Sequence, residues 1–169
     1  MLYDSPRELL VPALVGKRRP ITEVRPALNG YQKGHCFYCF NPIAVTGGVG
    51  DERSDVDHFL PLSLMPRLLA EGVLIDLDQV WNLVLACYRC NRGEGGKGAR
   101  VPDRRYRSRL ARRNEFLIAS HHPLRETLIA HTGGNQQKRT RFLVSVHDSA
   151  LEIDGRPGWK AAEEGPRIF

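Results

Sequence analysis

The sequence predicts an α+β chain with a small β centre stapled by metal and flanked by helices from both termini. Three observations predict it. The only four cysteines, Cys36, Cys39, Cys87 and Cys90, fall as two C-x-x-C pairs. Between them lie short apolar runs broken by glycine and proline, and outside them apolar residues recur at helical spacing.

At 169 residues the chain has the size of one domain, so a single compact body with helical additions is expected. Hydrophobic residues at 41% and charged residues at 26% are ordinary for a globular protein and exclude wholesale disorder. No apolar run reaches the roughly 18 to 20 residues of a membrane span. Asp4, Glu8 and the early prolines deny the N-terminus the apolar core of a signal peptide, so the expected compartment is the cytoplasm. The net charge of +6 favours a polyanionic partner, with nucleic acid the first candidate.

The expected divisions are a helical extension over 1–34, a metal-stapled centre over 35–98 and a mainly helical basic region over 99–169. In the extension, Ser5, Pro6 and Glu8 give a cap, a first-turn proline and an early acid before Leu9, Leu10 and Val11, with Pro12 limiting that helix. A second helix is predicted over Thr22 to Leu28, stopped by Asn29-Gly30. In the centre, Pro42 to Val45, the turn Gly47 to Gly50 and Ser54 to Phe59 predict a hairpin. Pro61 and Pro66 end regular pairing, Leu64 to Leu69 forms a helical turn, and Val80 to Ala86 carries an apolar stretch into the second cysteine pair. Three helices follow, over Pro102 to Ser120, Pro123 to His131 and Gln136 to Leu151. Tyr106, Leu110, Leu117 and Ile118 are the expected buried stripe of the first, and Phe142, Leu143, Val146 and Leu151 that of the third.

Two C-x-x-C pairs in a reducing compartment supply four thiolates for one tetrahedral structural zinc rather than disulfides. The stretch between them exceeds the roughly 15 to 20 residues of a simple zinc ribbon, so the metal staples the ends of an inserted structure. A redox C-x-x-C would need one active pair, and here there are two. Four thiolates close the zinc shell, so this metal is not catalytic.

Within the insert, Val56-Asp57-His58 precedes Phe59-Leu60-Pro61, and Asn82-Leu83 leads through an apolar run to Cys87-x-x-Cys90-Asn91. Together with Cys36-x-x-Cys39, this order and spacing resembles the zinc-containing HNH endonucleases, the ββα-metal or His-Me finger nucleases. The resemblance covers roughly residues 35 to 97. It implies a ββα-metal core in which His58 is the general base that activates water, Asp57 and Asn91 offer oxygen ligands to one divalent cation, and Asn82 orients His58. The chemistry agrees, because a phosphodiester repels hydroxide unless a hard cation neutralises it. A neutral imidazole can then accept the water's proton. The amide oxygen of Asn91 suits Mg²⁺, with Mn²⁺ as a substitute. Neighbouring side chains of a regular strand point to opposite faces, so Asp57 and His58 converge only if pairing breaks at His58.

The chain departs from the family pattern in two places. Ser63-Leu64-Met65-Pro66 stands where many relatives carry a glycine pair, and Arg92-Gly93-Glu94-Gly95-Gly96-Lys97-Gly98 is rich in glycine where the family begins or continues a helix. Either a mobile loop that orders on DNA, with Lys97 meeting phosphate, or a solvated turn accounts for that run. Downstream, Arg100, Arg104, Arg105, Arg107, Arg109, Arg112 and Arg113, relieved only by Asp103, predict contacts to the phosphate backbone. Such contacts position DNA without reading it, so cleavage of low specificity, or specificity from a protein partner, is implied.

Other polar residues take structural readings. His35, His121, His122, His131 and His147 are expected on the surface or in packing roles, Trp81 and Trp159 in the core, and Asp76 and Asp78 as caps of a short helix before Asn82. The expectation is therefore a metal-dependent DNA endonuclease, with a catalytically inactive zinc-stabilised nucleic-acid-binding or assembly module as its rival. Whether RNA is accepted stays open, as does a homodimer, which would let one site per chain cut both strands. Related nucleases serve phage defence, mobile elements and restriction.

Overall fold

The computed structural model describes residues 24–46 and 53–169. The predicted helix around Ser5 to Val11 and the turn Gly47 to Gly50 lie outside these residues. The remainder is an α+β arrangement of one two-stranded antiparallel sheet and helices on both sides of it in sequence.

Helix α1 (Arg25–Gln32) starts with Pro26 in its first turn, where a missing N–H costs nothing. It runs past the predicted stop at Asn29-Gly30 and ends at Lys33, whose left-handed φ of 51° turns the chain. Asn29 is the reason the turn forms later. Its Oδ1 accepts from Gly34 N at 2.8 Å, so it caps the end of the helix rather than terminating it.

Strand β1 (Ser54–His58) pairs with β2 (Leu83–Cys87) in antiparallel register, from Ser54 opposite Cys87 to His58 opposite Leu83. The predicted hairpin with Pro42 to Val45 does not form; that run makes only isolated bridges, including Ala44 to Arg53. Burial decides the choice. All five residues of β2 are buried, so this strand must lie inside and takes β1 along one edge. Its other edge is closed without a strand: Gln32 Nε2 donates to Leu85 O at 2.8 Å, Leu85 N donates to Gln32 Oε1 at 2.9 Å, and Phe37 N donates to Leu85 O at 2.9 Å.

Between the strands, a 3₁₀ turn (Leu62–Leu64) leads into α2 (Met65–Ala70), as Pro61 and Pro66 predict, and a second 3₁₀ turn (Val80–Asn82) delivers β2. After β2, α3 (Tyr88–Asn91) lasts one turn. The glycine run then folds back over it. A Cβ on Gly93 would lie 2.8 Å from Arg89 Cα, and one on Gly96 2.8 Å from Arg89 O, so both positions require glycine. Lys97 N donates to Cys90 O at 2.7 Å and Gly98 N to Asn91 O at 2.9 Å.

The C-terminal region forms α4 (Arg104–Ala119), α5 (Arg125–Thr132) and α6 (Gln136–Asp154), close to the predicted spans. Asp103 caps α4 by accepting from Arg105 N, and Asn135 caps α6 by accepting from Lys138 N. The buried apolar residues of α4 are the predicted ones, though the helix also buries Arg109, Arg113 and Asn114, and α6 buries Leu143 and Val146 with Phe142 and Leu151 partly covered. One continuous core joins Leu28, Tyr38, Val84, Tyr106, Leu143 and Trp159, so the four-cysteine centre and the basic region share their interior. Among the described residues no helix is long and apolar enough to cross a membrane.

Candidate metal centre and catalytic surface

The first C-x-x-C pair sits in a tight turn after α1, and the second joins β2 to α3. Cys36 N donates to Asn41 O at 2.8 Å and Phe40 takes a left-handed φ of 62°, which closes the first turn. In the second, Cys87 is the N-cap of α3, its Sγ accepting from Cys90 N at 3.4 Å. The four sulfurs lie within 4.8 Å of one another, with Cys39 Sγ to Cys87 Sγ at 3.8 Å. Zn–S bonds of about 2.3 Å at tetrahedral angles place sulfurs about 3.8 Å apart, whereas a disulfide needs about 2.05 Å. The thiols are free and buried.

The donor set therefore fits a metal ion such as zinc. Burial pushes the Cys36 thiol well above its ordinary value, while hydrogen bonding with Cys36 pulls Cys39 and Cys87 down. Four adjacent thiols cannot all ionise without a cation between them. Backbone amides at 3.3 and 3.4 Å from Cys36 Sγ and Cys87 Sγ supply the N–H···S bonds that thiolates accept. The C-terminal tail helps to fix the cluster, since Gly165 N donates to Cys39 O at 2.8 Å.

The predicted catalytic residues are divided by the sheet. Pairing continues through His58, so Asp57 and His58 leave β1 on opposite faces. Asp57 turns inward: Oδ2 accepts from Tyr38 OH at 2.7 Å, and Oδ1 lies 3.2 Å from Lys97 Nζ. Its carboxyl is raised by burial, with the Lys97 charge opposing that rise. Burial, together with Asp57, lifts the Tyr38 hydroxyl well above its usual value. The Lys97 ammonium is fully buried and also donates to the carbonyls of His58 and Gly98 at 3.1 and 3.0 Å. All three of its donors are thus used.

His58 lies on the other side. Its Nε2 is 2.8 Å from Asp78 Oδ1, and the two side chains are 15% and 22% exposed. Asn82 does not touch the imidazole, contrary to its expected role. Fully buried, it donates through Nδ2 to Leu60 O and Leu77 O and accepts at Oδ1 from Leu60 N, all at 2.8 to 2.9 Å. Asn91 makes no hydrogen bond to Asp57; its Nδ2 donates to Asp55 Oδ2 at 3.1 Å, and Arg92 grips both oxygens of that carboxylate at 2.9 Å. A shared cation on Asp57 and Asn91 does not fit this arrangement, because an ammonium already stands against the Asp57 carboxylate and Asn91 is turned toward Asp55.

The basic residues expected on nucleic acid are sorted by burial. Lys97, Arg109 and Arg113 are buried and are corrected from ligand contacts to parts of the scaffold. Arg109 donates to the carbonyls of Phe37 and Tyr38, lies 4.0 Å over the Phe40 ring and pairs with Glu164. Arg113 donates to the carbonyls of Val80 and Trp81 at 3.3 and 3.1 Å, and burial pulls it down to about 9. Arg104 and Arg107 share Asp148, and Arg105 pairs with Glu164. Arg112 is exposed and Arg100 half-buried, with no ion pair among the described residues.

Asp78 thus meets His58 in place of the expected capping role, and neither Tyr38 nor Asp55 carries a signal in the sequence for the contact it makes. Asp78 lies four residues before Asn82, but no local pattern links it to His58, twenty residues earlier. No family model, curated protein or solved structure matches the chain.

Proposed function

We propose that the chain is a metal-dependent nuclease of the HNH type that hydrolyses phosphodiester bonds in DNA, with His58 as general base. The observation that carries this reading is the position of His58. It ends a strand whose partner leads directly into the cysteine-bound turn, and its partly exposed ring is anchored through one nitrogen to a carboxylate. An anchored imidazole with its second nitrogen free is what proton abstraction from water requires. The β1, β2 and α3 order, and the four thiols at one end of it, agree with the ββα-metal core that the motif spacing implies.

Attack on a phosphodiester also needs a hard cation, Mg²⁺ or Mn²⁺, against the phosphate. Asp57 can serve such an ion beside His58 only if the Lys97 ammonium is displaced and the end of β1 rearranges to bring both side chains to one face. The buried pair of Asp57 and Lys97 favours a second reading, a zinc-stabilised nucleic-acid-binding or assembly module without catalysis. Supercoiled plasmid incubated with the purified chain and either Mg²⁺ or EDTA separates the two. The nuclease nicks only with Mg²⁺, and His58→Ala abolishes nicking while leaving folding and DNA binding intact. Retardation of the plasmid without cutting supports the binding module, and cleavage retained by His58→Ala sinks the assignment of the base.

A further inference from the structure

We propose that Asp78 is the positioning residue of His58, holding the proton on Nε2 so that Nδ1 is the basic nitrogen. The catalytic part of this inference rests on the nuclease reading; the proton assignment does not. A carboxylate only accepts hydrogen bonds, so at 2.8 Å from Asp78 Oδ1 the Nε2 of a neutral imidazole must carry the hydrogen. The lone pair then resides on Nδ1, which no described residue engages.

Asp78 is itself held in place. Its backbone N donates to Asp76 Oδ1 at 2.9 Å, and Gln79 Nε2 occupies Asp76 Oδ2 at 2.6 Å, so Asp76 ties the turn while Asp78 stays free to accept from His58. Asn82 joins this turn to the strand end. Its Nδ2 bridges Leu77 O, just before Asp78, and Leu60 O, two residues after His58. Leu60 N returns a bond to Asn82 Oδ1, and Phe59 N donates to Asn82 O at 2.7 Å. On the far side Lys97 Nζ grips His58 O at 3.1 Å. Both backbones that carry the pair are thereby fixed, and Asn82 orients the imidazole at one remove, through the chain rather than by contact.

The test uses the full zinc-loaded chain. Long-range proton–nitrogen NMR correlations of the His58 ring, assigned by their loss in His58→Gln, report which nitrogen is protonated near neutral pH. The wild type is expected to show the Nε2–H form, and Asp78→Ala a mixture of both forms or the Nδ1–H form, with zinc content and melting temperature unchanged. In the plasmid assay Asp78→Ala is expected to lower kcat about 10²- to 10⁴-fold with little change in KM, as loss of an imidazole's orienting carboxylate does elsewhere. Asp78→Glu should recover part of both signals. Asp78→Leu keeps the branched shape, offers Nε2 no acceptor, and replaces Asp78→Ala in each comparison if the latter does not fold. A wild-type ring protonated at Nδ1, or a ring in Asp78→Ala whose protonation pattern matches the wild type, overturns the proposal. If the wild type cuts nothing yet the ring responds to Asp78, the nuclease reading fails and the positioning role stands.

Discussion

Asp57 and His58 are adjacent in β1, yet Asp57 Oδ1 lies 3.2 Å from the buried Lys97 ammonium while His58 Nε2 lies 2.8 Å from Asp78 on the opposite face. One strand therefore carries two polar pairs of different kinds. The inner one is sealed in the core by Tyr38 and the glycine-rich loop, and the outer one reaches water.

The inner pair predicts a large loss of stability on removing one partner. Lys97→Met leaves the Asp57 carboxylate buried without a counter-charge, a defect that costs about 3–5 kcal/mol. Adding Asp57→Asn to that variant should return part of the loss. Urea denaturation of the two variants and the wild type measures both effects, and a loss under about 1 kcal/mol for Lys97→Met would contradict the sealed arrangement.

His147 predicts a pH dependence. Burial lowers this imidazole from its ordinary value of 6.5, with Arg107 adding to the effect and Asp148 and the Pro102 carbonyl opposing it. The folded state then binds its proton less readily than the unfolded chain. Its contribution is complete above pH about 6.5 and is lost as pH falls toward the depressed folded value. The stability difference between wild type and His147→Gln should accordingly narrow or reverse as pH falls from 7 to 5. A difference constant across that range would place the ring in water.

Metal removal should dismantle the centre. Native mass spectrometry is expected to find one zinc per chain, and a strong chelator or Cys87→Ser should lower the melting temperature sharply, since four buried thiols then lose the ion that holds α1, β2 and α3 together. A chain that keeps its melting temperature after complete removal of zinc would rule out a structural metal.

The arginines of α4 divide into two groups by consequence. Arg113→Ala should destabilise the fold by roughly 2–4 kcal/mol, because it empties the space of a fully buried side chain and removes its hydrogen bonds to Val80 O and Trp81 O. Arg112→Ala should leave stability unchanged and weaken nucleic-acid binding with a smaller salt slope. Thermal melts alongside salt-dependent retardation distinguish them; equal destabilisation by both would refute the division.

The helices of the C-terminal region were readable because their signals are local: prolines at the expected starts Pro102 and Pro123, and apolar residues recurring at 3.6-residue spacing. The strand partner of Ser54–His58 was not. The turn after Pro42 to Val45 pointed to a neighbouring hairpin, whereas the fully apolar Leu83–Cys87 won the pairing by burial, a criterion that only the assembled core applies. The arginine run misled in the same way. A count of charges says nothing of which guanidiniums point inward, where Arg109 donates to the carbonyls of the first cysteine turn and Arg113 to those of Val80 and Trp81.

By itself the sequence determined the α+β composition, the pairing of four cysteines that could hold a metal ion and the His58 motif, since C-x-x-C spacing and helical periodicity are written along a few consecutive turns. Only the tertiary structure decided that Asp78 meets His58, that Lys97 neutralises Asp57 and that Asn82 clamps two backbones. Each of those contacts joins segments far apart in the chain, and which groups meet is settled by the burial of β2 and the donors and acceptors it leaves to be satisfied.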